Sequence, residues 1–380
     1  MNENNRVVVA GHICLDITPV FAGSHKGAGI EDILAPGKLV QMKEADVHTG
    51  GVVSNTGLGM KILGADVTLM GKIGNDEFGK VIINILKGYG VEKSMLISQE
   101  DTSYSIVIAP PDIDRIFLHN PGANNTFSFE DLDFDEIAKA KLFHFGYPTL
   151  MAKMYENNGD ELVRLFKKIK ELDVITSLDM AAVDPNSEAG KADWKGILTR
   201  VLPYVDIFVP SIEELGFMLD REKYYEWISL ANGKDITSVL SVKEDIKPFA
   251  DQLTGMGTRI VLIKCGAPGM YYKIADKVHL SELSNNLGRQ FFDWGGKEGF
   301  EMSYTPEKLL SATGAGDTSI AAFLTAILRG YSLEKCLQLA TATGASCVEA
   351  YDALSGLKSF EELENKISNG WKKQEMKINF

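Results

Sequence analysis

A repeated alternation is the strongest constraint on how this chain folds. Short runs rich in β-branched residues stand at 6–10, 66–70, 141–145, 173–178, 205–209 and 258–264. Each has the length and composition of a strand buried on both faces. Helical patterns fill the intervals at 55–63, 76–87, 159–172, 188–201, 212–219 and 242–256. Strand, helix, strand in this order predicts right-handed crossovers and an α/β architecture: an open, mostly parallel sheet with helices on both faces, an αβα sandwich.

Two regions break the alternation. The segments 38–47, 103–109 and 115–120 read as short strands with no helix between them, the last two joined by a Pro-Pro-Asp-Ile-Asp turn. They predict a small antiparallel β-sheet flap over one edge of the main sheet. The stretch 281–305, rich in Gly, Asn and aromatics, has the least pattern and reads as an inserted loop. The last third is helical, at 316–329, 333–350 and 360–373.

Composition narrows the partners. The formal net charge is −13, and no Lys/Arg cluster is long enough to track a phosphate backbone, which argues against nucleic acid. Cys14, Cys265, Cys336 and Cys347 lack metal-ligand spacing and read as buried thiols. The six histidines are scattered, without the paired spacing of a metal site. No apolar run approaches membrane-span or signal length, so a cytoplasmic location and no membrane partner are the expectation.

The sharpest chemical signal is Ser-Ala-Thr-Gly-Ala-Gly-Asp-Thr at 311–318, which opens an amphipathic helix. Gly314, Ala315 and Gly316 allow a tight turn that brings amide hydrogens to one side, at the positive end of the helix dipole: an anion cradle. A carboxylate at Asp317 would repel a phosphate that is merely held there. It has a task if it takes a proton from an incoming hydroxyl while the amides hold the travelling phosphoryl group. Taken alone, the segment also fits an ordinary helix start with an acidic first turn. Gly50 and Gly51 precede a second helix and expose bare backbone, and Asn55 offers an amide able to donate to and accept from hydroxyls. No GxGxxG follows the first strand, where Gly-His-Ile-Cys-Leu-Asp stands, which argues against a nicotinamide enzyme.

Together, Gly-Gly-x-x-x-Asn at 50–55, Gly-Ala-Asp at 64–66, Gly-Lys-Ile-Gly-Asn-Asp-Glu-Phe-Gly at 71–79 and Ala-Thr-Gly-Ala-Gly-Asp at 312–317 resemble the two signature regions of the ribokinase-like, or PfkB, carbohydrate kinases. Order and separation match over about residues 7–357. The resemblance implies a ribokinase-like fold, in which a Rossmann-like αβα core (1–15, 49–100 and 126–380) binds ATP and a β-sheet lid (16–48 and 101–125) closes over a sugar. It also implies ATP and Mg2+ as cofactors, and a second copy pairing through the lid.

Carried over by position, Asp16, Gly50, Gly51 and Asn55 would contact the sugar, and Arg115 and the Pro-Gly-Ala-Asn at 121–124 would stand near it. Gly314, Ala315 and Gly316 would form the anion hole and Asp317 the base. Lys264, Gly266, Gly269 and Thr313 would lie beside the nucleotide, with lysine where threonine is more usual, and Glu214 would serve the metal. Two positions depart from the pattern. Ser211 replaces the asparagine that opens the Asn-x-x-Glu motif. Ser311 replaces an aspartate that helps to hold a monovalent cation, so the resemblance does not extend to K+ dependence. Two other readings stay open: a nucleoside kinase of the same fold, and a non-catalytic sugar or nucleotide sensor.

Overall fold

The computed structural model describes residues 5–23, 29–110, 116–280, 283 and 289–375. Its strands are β1 (Arg6–Gly11), β2 (Cys14–Phe21), β3 (Met42–Gly50), β4 (Asp66–Met70), β5 (Lys72–Gly74), β6 (Leu96–Ser98) and β7 (Tyr104–Ile108). They continue with β8 (Ile116–Asn120), β9 (Leu142–Gly146), β10 (Ile175–Asp179), β11 (Ile207–Phe208), β12 (Ile260–Lys264), β13 (Gly269–Ile274) and β14 (Glu298–Met302).

Eight of these form the central sheet in the order β14-β13-β12-β11-β10-β9-β1-β4. From β12 to β4 every pairing is parallel, and β13 and β14 add an antiparallel edge. Strand alternation divides the core in two. Val7 and Val9 of β1, Leu142 of β9, and Ile260 and Leu262 of β12 face one cluster, with helices Val52–Ile62, Ala315–Leu328 and Leu333–Cys347. Val8 and Ala10, Phe143 and Phe145, and Val261 and Ile263 face the other, under helices Asp160–Glu171, Trp194–Val201 and Lys247–Gly255.

A separate four-stranded sheet runs β3-β2-β7-β8. Its base is tied to the core by Asn124, fully buried, whose Oδ1 accepts from the Ile13 amide (3.1 Å) and whose Nδ2 donates to the Ile13 carbonyl (2.9 Å). Ile13 lies between β1 and β2, so this clamp sets where β2 leaves the core.

The structure departs from the sequence reading in several places. The flap contains a strand not anticipated, β2, which pairs in parallel with β7 and antiparallel with β3. The predicted strand at 38–47 lies instead at Met42–Gly50. The patterned helix at 188–201 is two, because Ala192 is extended and Asp193 caps a new start by accepting from the Gly196 amide. The expected loop at 281–305 lies partly outside the described residues, and within it Glu298–Met302 is the edge strand β14, paired with β13. The four cysteines are free and buried, as expected. No helix among the described residues is long and apolar enough to cross a membrane.

Candidate active site

Asp317 lies in the first turn of the helix Ala315–Leu328. Gly314 stands before that turn with φ +73°, where a Cβ would lie 2.2 Å from the Ala353 Cβ, so both the turn and the packing require glycine. No side chain caps this helix start, which keeps its amide end available to an anion. The Ala315 amide makes a 3.3 Å bond to the Ala312 carbonyl.

The helix Val52–Ile62 crosses the same region and brings Asn55 to Asp317. Asn55 Nδ2 donates to Asp317 Oδ2 at 2.9 Å, and Thr56 Oγ1 donates to the Asp317 carbonyl at 3.4 Å. From the end of β9 the Tyr147 hydroxyl donates to both carboxylate oxygens, at 2.7 and 2.9 Å. Tyr147 holds this position with φ +65°, a left-handed conformation costly for a bulky residue. Burial pushes the Asp317 carboxyl above its ordinary range, while the Lys264 ammonium and the bonds from Asn55 and Tyr147 pull against it. A helix-start aspartate by itself would be a weak base; the buried setting makes this one better suited to accept a proton.

Beside Asp317 lies a charge cluster. Lys264 Nζ donates to Asp179 Oδ1 at 2.7 Å, and a Cβ on Gly316 would be 3.7 Å from the same ammonium. Burial works to neutralise Lys264, but the nearby carboxylates of Asp179 and Glu214 outweigh it and hold the lysine charged. Burial raises the Asp179 carboxyl despite Lys264, and its Oδ2 is buried with no hydrogen-bond partner. Ser211 and Glu214 form a reciprocal cap: Ser211 Oγ accepts from the Glu214 amide (3.2 Å) and Glu214 Oε2 from the Ser211 amide (2.7 Å).

Between the small sheet and the core is a cavity of about 390 Å3, lined among others by Asp16, Asp46, His48, Asn55, Thr313 and Asp352. Asp317 is only 4% exposed and does not line it; Asn55, which does, bonds to Asp317. Gly50 lies against Asp16, where a Cβ would come within 2.1 Å of Asp16 Oδ2. Gly51, with φ +82°, is the residue before the helix Val52–Ile62 and packs on His12.

The structure thus brings together Asp16, Gly50, Asn55, Gly314, Gly316, Lys264, Glu214 and Asp317. Thr313, expected beside the nucleotide, lines the cavity that also holds Asp16 and Asn55. Gly266 (φ +61°) and Gly269 shape the turn between β12 and β13, where a Cβ on Gly269 would strike the Glu301 carbonyl at 2.1 Å. Arg115 lies outside the described residues. Asn124 of the Pro-Gly-Ala-Asn segment is a buried clamp on Ile13 rather than a surface facing a ligand.

The sequence profile of the pfkB family carbohydrate kinases matches residues 5–359. The chain belongs to that family. An uncharacterized sugar kinase of Archaeoglobus fulgidus is 26% identical over 303 residues, 79% of this chain and 98% of that protein. Fructokinase-2 of Oryza sativa subsp. japonica is 24% identical over 384 residues, 97% of this chain and 96% of that one. Among solved structures, Arabidopsis thaliana ribokinase complexed with ribose and ATP superposes with a TM-score of 0.68 at 20% identity, covering 94% of this chain and 97% of that one. The fold is therefore ribokinase-like, as the motifs implied.

Tyr147 and Asp179 of this carbohydrate kinase escaped the sequence reading. Both stand just at or beyond strand ends, in Gly-Tyr-Pro and Leu-Asp-Met segments that carry no spacing signal. The one available hint was general: in parallel sheets, residues at the carboxyl ends of strands gather at the ligand crevice.

Proposed function

We propose that this chain transfers the γ-phosphoryl group of ATP to a hydroxyl of a sugar or sugar-like acceptor, with Asp317 as general base. The observation that carries the reading is Asp317 itself: a buried carboxylate at an uncapped helix start, one hydrogen bond from a residue that lines a cavity. The acceptor enters that cavity against Asp16, Gly50, Gly51 and Asn55. Its hydroxyl takes over the place of the Asn55 amide at Asp317, and the amide turns to the acceptor. The proton moves to Asp317 late, since the loose transition state of phosphoryl transfer demands little of the base.

On the other side of Asp317, the Gly314–Gly316 turn holds the moving phosphoryl group and Lys264 gives its charge to the nucleotide phosphates. Gly266 and Gly269 shape the nucleotide side, while Thr313 reaches the edge of the acceptor cavity, where the two substrates meet. The orphaned Asp179 Oδ2 and neighbouring Glu214 fit a hydrated Mg2+, which keeps several waters and takes few protein ligands. When bound, such an ion offsets charge on the phosphate oxygens. Among the described residues no group of three or more His, Cys, Asp and Glu is placed to hold a metal.

The segments 16–48 and 101–125 act as the lid, and its closure excludes water from the transfer. Its edge strand β8 exposes Ile116, Phe117 and Leu118, which favours pairing with a second copy; a monomer by sedimentation would contradict that. The central test is Asp317→Asn. It should leave ATP binding intact by calorimetry and cut ADP release by roughly 10²–10⁴-fold. Near-normal turnover would refute the role. A screen in which nucleosides alone are consumed would favour the nucleoside-kinase reading, and ligand binding with no ADP release from any acceptor the sensor reading.

A further inference from the structure

The cavity beside Asp317 is unevenly charged. Three of its walls present carboxylates: Asp16 from β2, Asp46 from β3, and Asp352 from the segment after the helix Leu333–Cys347. Asp46 has His48 at 3.2 Å, and Asp352 accepts from the Leu354 and Ser355 amides at 2.8 and 2.7 Å. Asp16 accepts from the Cys14 thiol, at 3.3 Å, and from the Ser105 hydroxyl. Among the described residues, neither lysine nor arginine lines the cavity. Lys264 stands instead beside Gly316 at the helix start, paired with Asp179.

We infer that the acceptor is an uncharged polyhydroxylated molecule, a free sugar or polyol, and that sugar phosphates and sugar acids are excluded. This rests on the kinase reading above and deepens it. Hydroxyls donate to carboxylates, so an uncharged polyol finds partners at Asp16, Asp46 and Asp352 and in the amide of Asn55. A phosphate or carboxylate on the acceptor would face three carboxylates with no lysine or arginine among the described lining residues to meet it. The helix-start amides and Lys264, itself paired with Asp179, are left to the anionic nucleotide, and the acceptor meets the carboxylates of the cavity.

The test measures ADP release by the full chain with ATP and Mg2+ over three acceptor sets: uncharged sugars and polyols, their monophosphates, and the corresponding sugar acids. The best uncharged acceptor should exceed every anionic one in kcat/KM by about 100-fold or more, the scale of like-charge exclusion. Asp46→Lys should narrow that gap by about tenfold, through improved use of a sugar phosphate. Preference for a phosphate or an acid by the unaltered chain would overturn the inference while leaving the kinase reading standing. No ADP release with any acceptor would overturn the kinase reading, and the inference with it.

Discussion

The hydroxyl of Tyr147 donates to both carboxylate oxygens of Asp317, at 2.7 and 2.9 Å, from a residue held at φ +65°. Burial, and then the neighbouring Asp317 and Asp179 carboxylates, keep this phenol well above its ordinary pKa, so it remains a donor. The bond orients the base and stabilises its charged form, opposing the effect of burial on Asp317.

Tyr147→Phe removes that donor. Because the bond favours the ionised carboxylate, its loss raises the Asp317 pKa further and moves the acid limb of the pH–rate profile upward. Turnover at neutral pH should fall by about tenfold, the equivalent of one charge-assisted hydrogen bond. A profile unmoved from that of the unaltered chain would show that Tyr147 serves packing alone.

Lys264→Met leaves Asp179 buried without its cation. Stability should drop by about 3–5 kcal/mol in a urea titration, and Asp179→Asn in the same chain should recover part of it. Independent, additive losses in the double variant would mean that the two do not act as a pair. With the charge gone, the KM for ATP should also rise more than the KM for the acceptor.

Gly50→Ala tests the acceptor side. The new methyl meets the tip of Asp16, a side chain able to turn away, so the fold should be little altered. The acceptor KM should rise about tenfold as Asp16 is displaced, with the KM for ATP unchanged, in steady-state assays that vary each substrate. Equal effects on both substrates would place the damage elsewhere.

His144 predicts how stability responds to acid. It is fully buried in β9, bonded through Nδ1 to Ser177 Oγ at 2.9 Å, with Nε2 unpartnered. Burial, aided by Lys264, lowers its pKa from 6.5 to about 3. Above pH 6.5 neither the folded nor the unfolded state protonates it. As pH falls below that, the unfolded chain gains a proton that the folded chain refuses, so stability declines until about pH 3. The slope is up to about 1.4 kcal/mol per pH unit from this residue, and His144→Gln should flatten the acid limb of a stability curve by a like amount. An unchanged slope would count against the burial argument.

What the sequence could determine was local or periodic. The β-branched runs and helical patterns located β1, β4, β9, β10 and β12 to within two residues, because a strand buried on both faces must be apolar throughout. The Gly-Ala-Gly-Asp turn was legible as a tight turn before a helix because Gly314, at φ +73°, requires glycine locally. Partnership was not legible. Asn55 and Asp317 are 262 positions apart, and Tyr147 and Asp317 170, and no spacing rule joins them. Strand β14 lay hidden in a segment of weak pattern, since an edge strand packed on a single neighbour needs no continuous apolar run. Only the tertiary structure decided that Asp317 would be buried, that Asn55 would bond to it from the wall of the cavity, and that Lys264 would meet Asp179 beside it. Desolvation and charge complementarity depend on which distant segments meet, and that is settled by packing of the whole chain.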